Sequence, residues 1–290
     1  MKLIYQKLTA ASDEGFTFKR VRESDFSCPW HFHPEFELIL TLDFTGFRMV
    51  GDNITPLSAG DLVLVGASLP HIWQRDTHPR RPGRPVDILI VQFEETFLGA
   101  DSIRLPAMLP VRRLLRRASS GLQFDGATRE AATALICEMD SARGLRRIVL
   151  FLRVLETLSL SESGDSHPIA SAGFVTQQNP FNEDRMNRVF QFIQQRLDQP
   201  LPIAEVARVA SLSAGAFSRF FHQHTARTFP AFVNELRISR ACLLLAETKQ
   251  SVTEIALDCG FANLSNFNRQ FLRLKRTTPS EFRRQLLKAE

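Results

Sequence analysis

His31, His33, Glu37 and His71 are the residues whose types and spacing suit coordination chemistry. Side chains alternate along an extended strand, so a strand here would put His31, His33 and Glu37 on one face. His71 supplies a further imidazole from downstream. Such a set of nitrogen and oxygen donors suits a divalent transition metal such as zinc, iron or manganese. The same histidines would equally line or brace a pocket for a small molecule, and both readings stand at this point. Other groups nearby suit a polar effector. Trp30 and Trp73 offer flat faces for a sugar ring, while Glu35 and Arg48 offer a carboxylate and a guanidinium. The expected effector site is therefore Trp30, His31, His33, Glu35, Arg48, His71 and Trp73.

A second constellation occurs twice. Glu205-Val206-Ala207 is followed by Phe217-Ser218-Arg219-x-Phe221, and Glu254-Ile255-Ala256 by Phe267-Asn268-Arg269-x-Phe271; the copies lie 49 to 50 residues apart. Each reads as a short helix, a tight turn and a second helix, the unit that lays one helix in the DNA major groove. Phe217, Phe220, Phe221 and His224 recur at helical spacing and form an inward stripe, leaving Gly215, Ser218, Arg219 and His222 outward. In the second copy Phe267, Phe271 and Leu274 face inward, leaving Ser265, Asn268, Arg269 and Arg273 outward. Arg can grip guanine and Asn can grip adenine through paired hydrogen bonds. A single Arg on a helix face is ordinarily just solvated. Duplication of the whole pattern argues against that reading.

These residues need elements to hold them. Residues 1–98 have short runs rich in branched residues, 38–42, 62–65 and 86–91, bounded by Gly46, Gly51-Asp52-Asn53, Gly60-Asp61 and the Pro/Arg stretch at Pro79–Pro85. Such spacing predicts a small barrel or sandwich. The apolar period becomes helical over 111–117 and 129–160, and residues 161–182 read as a linker. Helices are expected over 185–197, 203–209, 229–247 and 252–259, with Ser213 and Asn263 as N-caps and a last helix opened by Pro279. From Asp184 onward there are 16 Lys and Arg against 9 Asp and Glu, so positive charge collects on the duplicated half, as phosphate contact requires. The four cysteines are scattered without a C-x-x-C pair, which suits a reducing compartment. Met1–Lys7 has no signal-like apolar core and no run approaches bilayer length, so no membrane association and a cytoplasmic location are expected.

Residues 184–290 resemble the DNA-binding domain of the AraC family of bacterial transcription regulators. The matching stretches are Ile203–Ala207, the Phe217–Phe221 helix, Ser251–Phe261 and Arg276–Arg283. The resemblance implies two helix-turn-helix units entering successive major grooves, about 34 Å apart, bridged by a helix of about 19 residues. It places base contacts at Gly215, Ser218 and Arg219, and at Leu264, Ser265, Asn268 and Arg269. The H-x-H-x3-E stretch with His71 is similar to the metal-ligand set of cupin barrels, here His31, His33, Glu37 and His71, and to the cupin-like sensor domain of these regulators. The expected architecture is thus multidomain: an all-β cupin-like barrel over 1–98, a helical extension and dimerisation region over 99–160, a linker over 161–182, and an all-α tandem helix-turn-helix domain over 183–290. The implied partners are double-stranded DNA, a small-molecule effector such as a sugar or other carbon source, a second copy, and RNA polymerase in the case of an activator. No catalytic residue is expected. The rival reading is a metal-dependent cupin enzyme with an appended helical domain, which leaves the duplicated basic helices without a role.

Overall fold

Branched and aromatic residues punctuated by turn residues give the first hundred positions their strands. The computed structural model describes residues 14–23, 26, 28–57, 59–75, 85–161, 164–172, 174 and 180–289. Seven strands come first: β1 (Phe16–Glu23), β2 (Phe36–Asp43), β3 (Gly46–Val50), β4 (Asn53–Leu57), β5 (Leu62–Val65), β6 (His71–Arg75) and β7 (Val86–Phe93). They are followed by α1 (Leu109–Arg117), β8 (Leu122–Phe124), α2 (Gly126–Ser141), α3 (Leu145–Ser159) and β9 (Ser166–Pro168). The strands form a six-stranded sheet in the order β1-β7-β2-β5-β8-β9 and a three-stranded sheet in the order β4-β3-β6, all antiparallel.

Strand alternation assigns each face a partner. Ile39, Val63, Val65 and Ile88 of the large sheet meet Val50, Leu57 and Trp73 of the small one, forming the core between the sheets. The intervening residues Leu38, Leu40, Leu62, Leu64, Leu89 and Val91 pack outward under α1, α2 and α3, against residues such as Leu114, Ile136, Phe151 and Leu155. Burial on both faces explains why Leu62–Val65 is an unbroken apolar run rather than an alternating one.

The rest of the described chain is helical: α4 (Pro180–Gln195), α5 (Ile203–Val209), α6 (Ala214–Thr225), α7 (Phe229–Glu247), α8 (Val252–Asp258), α9 (Leu264–Lys275) and α10 (Pro279–Ala289). The outer face of the small sheet carries Phe47, Met49, Ile54 and Ile72, which join Trp30 in one apolar cluster with Met186, Val189, Phe190 and Ile193 of α4 and Phe232 of α7. The two halves therefore share a core.

Two expectations change. The segment read as a linker contains β9, which pairs with β8, while Ile169 and Ala170 donate to the Gly121 and Ser120 carbonyls at 3.0 and 2.8 Å. A polar stretch without periodicity satisfies its backbone on a sheet edge, which composition does not reveal. The following helix begins at Pro180, not near Asp184. Met1–Lys7, residues Pro79–Arg84 and residues 175–179 of the expected linker lie outside the described residues. No described helix is long and apolar enough to cross a membrane.

Candidate nucleic-acid interface and histidine pocket

The two duplicated units have matching local architecture. In the first, α5 and α6 are joined by a turn in which Leu212 N–H donates to the Ala207 carbonyl at 2.9 Å. In the second, α8 and α9 are joined by a turn in which Phe261 N–H donates to the Ala256 carbonyl at 3.0 Å. Side-chain caps start both recognition helices: Ser213 accepts from Ala216 N–H and Asn263 from Asn266 N–H. Phe217, Phe221, Phe267 and Phe271 are fully buried, and Phe220 and His224 are also buried. That aromatic anchoring turns Gly215, Ser218, Arg219 and His222 of α6, and Leu264, Ser265, Asn268, Arg269 and Arg273 of α9, to the exposed face.

The outward faces are not alike in detail. Arg219 has no hydrogen bond or ion pair among the described residues, and with Ser218 and His222 it lines an open cleft of about 550 Å³ that ends at Thr228 and Pro230. Arg269 is held by Asn266, whose Oδ1 accepts from Nη2 at 2.9 Å. Ser218 Oγ donates back to the Ala214 carbonyl at 2.9 Å, which leaves its lone pairs outward.

In the β half, His31, His33, Glu37 and His71 are buried, and one ligand-type atom from each lies within 4.8 Å of all the others. Only Glu37 sits in a long strand. His31 makes an isolated bridge to His71, and His33 lies in the irregular stretch before β2, ahead of a bend at 34–35. The rings are oriented from behind: Nδ1 of His31, His33 and His71 lie 2.7, 3.1 and 2.8 Å from the carbonyls of Pro29, Glu35 and Leu69. A carbonyl only accepts, so each Nδ1 carries the proton and each Nε2 is turned to its neighbours, the orientation that metal-ligating histidines need. His71 Nε2 is buried without a hydrogen bond, 3.5 Å from Glu37 Oε2. This donor set fits a divalent cation.

Protonation follows from the geometry. Burial, then the neighbouring His71, pushes His31 down to about 3, so it is neutral. His33 Nε2 lies 2.6 Å from Glu37 Oε2, and although burial opposes its charge, the hydrogen bond to Glu37 raises it. Burial alone would raise Glu37, but its contacts with His33 and His71 hold it well below the usual carboxylate range. His33 and Glu37 thus form a buried ion pair, and a bound cation would have to displace the Nε2 proton.

A cavity of about 230 Å³ opens onto this cluster between β1, β7 and the 26–31 segment. Lys19 and Glu23 stand along its β1 side; Val21, Phe26 and Ile90 wall it; Cys28, His31, Glu37 and Gln92 reach its polar end. Gln92 Nε2 donates to Glu37 Oε2 at 2.9 Å while its Oε1 is buried without a partner, an acceptor open to a ligand. Burial raises the Cys28 thiol to about 12, so it stays protonated. Lys19, Cys28 and Gln92 escape sequence reasoning because strand pairing, not proximity in the chain, brings them together.

Several expected effector residues lie elsewhere. Trp30 turns away from the cavity, its ring 5.6 Å from Phe190 of α4. Trp73 is buried between the sheets, its ring 5.8 Å from His71. Arg48 is fully buried and pairs with Asp61 at 2.9 Å and Gln123 at 2.6 Å, so its charge is already answered. Glu35 is buried with Oε2 3.3 Å from His33 Nδ1 and does not line the cavity. The sugar-stacking role expected for Trp30 and Trp73 is therefore withdrawn.

Comparison with known proteins agrees with the C-terminal geometry. Residues 206–285 match the family model described as a helix-turn-helix domain. This part of the chain is a helix-turn-helix domain. The transcriptional activator RhaR of Mannheimia succiniciproducens is 30% identical over 114 residues, covering 39% of this chain and 41% of that protein. The chain thus spans about two-fifths of the length of that relative, and 14% of the length of an HTH-type regulator of Staphylococcus aureus that it matches. Among solved structures, an AraC-type transcriptional regulator from Chromobacterium violaceum is 26% identical with a TM-score of 0.35, over 37% of this chain and 96% of that one. ToxT from Vibrio cholerae is 14% identical with a TM-score of 0.37, over 94% and 98% of the two chains.

Proposed function

We propose that this protein is a sequence-specific, DNA-binding transcription regulator controlled by a ligand bound in its β half. The observation that carries the reading is the duplicated recognition helix: α6 and α9 each bury an aromatic stripe and expose a short polar face with an Arg one turn in. In this reading Gly215, Ser218, Arg219 and His222 meet one half-site, and Leu264, Ser265, Asn268, Arg269 and Arg273 the other. The basic balance of this half supports phosphate contact. The RhaR relative is named a transcriptional activator, which makes activation through RNA polymerase the first mode to assay.

The effector site of this reading is the cavity bounded by Lys19, Phe26, Cys28, Ile90 and Gln92, with His31, His33, Glu37 and His71 able to hold a divalent cation at its end. A cation held there would present positive charge to a polar group of the effector, and one that takes more than four ligands would bind that group directly. Dimerisation is assigned to α3, whose Leu145 and Val149, with Leu160 just past its end, are 75%, 48% and 66% exposed. Residues 14–172 serve as the sensor half and 180–289 as the reader.

The test is selection of binding sites for the full-length protein from random duplex DNA at several salt concentrations. A two-part motif with centres about one helical turn, 10 base pairs, apart supports the reading. Enrichment of no motif at any salt, with affinity that collapses as salt rises, would overturn it.

A further inference from the structure

Strand alternation ties the histidine cluster to the reader. His31 and His71 exchange two backbone hydrogen bonds, His31 N–H to His71 O at 3.1 Å and His71 N–H to His31 O at 2.9 Å. Their rings meet edge to face, with centroids 4.2 Å apart and planes 60° apart. The next residue along on each segment points the other way. Trp30, preceding His31, and Ile72, following His71, belong to the apolar cluster shared with α4 and α7. Met49, the cross-strand partner of Ile72, is in the same cluster and is fully buried. Thus one short bridge carries two ligand-type imidazoles on its inner side and, on its outer side, two side chains that seat the first helix-turn-helix unit.

Polar contacts fix the same junction. Asp52 in the β3–β4 turn accepts from Ser171 N–H at 2.9 Å, and its other oxygen lies 3.8 Å from Arg227 Nη1, just ahead of α7. Gln194 of α4 donates to the Arg75 carbonyl at the end of β6 at 3.2 Å. Close-packed contacts of this kind transmit displacement instead of absorbing it. By contrast, the second unit's core is drawn only from α7–α10 residues such as Ile238, Ile255, Phe267 and Phe271.

We infer that the His31–His71 bridge is a relay: occupancy of the histidine cluster repositions Trp30 and Ile72 against α4 and thereby sets the first helix-turn-helix unit. The inference rests on the proposed reading of the chain as a ligand-controlled DNA reader and specifies how that control reaches the reader. Its physical basis is that His31 and His71 share their backbone with Trp30 and Ile72, so a shift of the bridge that accompanies ligand binding is carried to the side chains packed against α4. A ligand shifts the reader only if it binds the two arrangements unequally, and then DNA must shift the ligand's affinity by the same factor. Reciprocity makes the relay testable from either end.

The experiment uses full-length protein with carbon-13-labelled histidine rings, zinc ion as the probe for the cluster, and the selected duplex as the probe for the reader. In the wild type, adding DNA is expected to shift the ring signals of His31 and His71, and saturating zinc is expected to change the DNA Kd about fivefold or more. Phe190→Leu, which keeps the α4 cluster apolar but removes the ring against Trp30, is expected to retain both zinc and DNA binding and to lose the mutual effect. Ile72→Ala should weaken it in the same direction. If zinc and DNA bind without influencing one another, or if the mutual effect survives both substitutions, the relay is wrong. If DNA binds and zinc does not, the metal reading alone falls. The histidine shifts on DNA addition and their loss in Phe190→Leu then decide the relay. Failure to bind any DNA sequence overturns the functional reading, and the relay with it.

Discussion

The first helix-turn-helix unit, α5 and α6, and the second, α8 and α9, repeat each other down to the hydrogen bond from Leu212 to Ala207 and from Phe261 to Ala256. Behind those turns they differ. The first unit's core runs on into the small sheet through Phe190, Trp30, Met49 and Ile72, whereas the second is closed by α7 and α10. Their recognition arginines differ in the same sense of restraint: Arg269 is tethered to Asn266, while the residue equivalent to Asn266 in the first unit is Ala216, which offers no side-chain acceptor. A duplicated motif thus yields one unit whose core runs into the β half, with an arginine that has no hydrogen bond among the described residues, and one unit whose core does not, with an arginine held in place.

The largest effects should come from the anchors. Phe217→Ala and Phe267→Ala each empty a fully buried ring site and should cost about 3–5 kcal/mol. If the units are coupled to the sensor as described, Phe217→Ala should raise amide exchange in β3, β4 and β6 as well, while Phe267→Ala should raise it only in α7–α10. Equal spread from both would break the comparison. Next, Glu37→Gln in metal-free protein should cost about 3 kcal/mol by leaving His33 without its buried partner. The signs define a window. Glu37, depressed in the fold, stabilises above its ordinary 4.5 and loses that contribution as pH falls through the lowered value. His33, raised in the fold, stabilises below its ordinary 6.5 and loses its contribution as pH climbs through the raised value. The gap in Tm between wild type and variant should therefore be widest between pH 4.5 and 6.5 and narrow on both sides.

Arg219→Ala and Arg269→Ala should each lose about 1–3 kcal/mol of base discrimination, confined to opposite halves of the selected motif. A finer test exchanges the tether. Asn266→Ala should relax the second half-site by about threefold, and Ala216→Asn should sharpen the first by a similar factor, because an arginine already held loses less freedom on binding. No change from either swap in a titration series would show the tether to be incidental. Smallest is Ala226→Gly: Ala226 caps α6 in the left-handed region at φ 53°, and glycine should add about 0.5–1 kcal/mol to thermal stability.

Much of this was legible in the sequence, and for definable reasons. The duplicated helices were, because the inward phenylalanines keep a strict helical period and Ser213, Asn263 and Pro279 mark boundaries locally. β2, β5 and β7 were also visible as branched runs. β8 and β9 were not: Leu122–Phe124 and Ser166–Pro168 are three residues each and owe their state to the edge they pair with. The donor set His31, His33, Glu37 and His71 could be picked out by residue type, but the cavity could not, because Lys19, Cys28 and Gln92 are neighbours only through the β1–β7–β2 pairing. Trp30 was misread because chemistry suggests what an indole could stack on, while the phase of its segment decides which side of the sheet it faces.

Gly260 closes the second unit's turn at φ +81°, and a methyl group there would stand 2.5 Å from the Leu197 carbonyl. Nearby, Arg237 of α7 donates to that carbonyl and to Gln199 O at 2.9 and 2.6 Å. The bare backbone of the second unit is thus keyed into the turn that follows α4, a tie between the two units in addition to α7. If the protein reads two grooves as proposed, such a joint would make the molecule a gauge of helical pitch. Five extra base pairs between the half-sites would turn one of them to the far side of the duplex, beyond what so stiff a joint can follow.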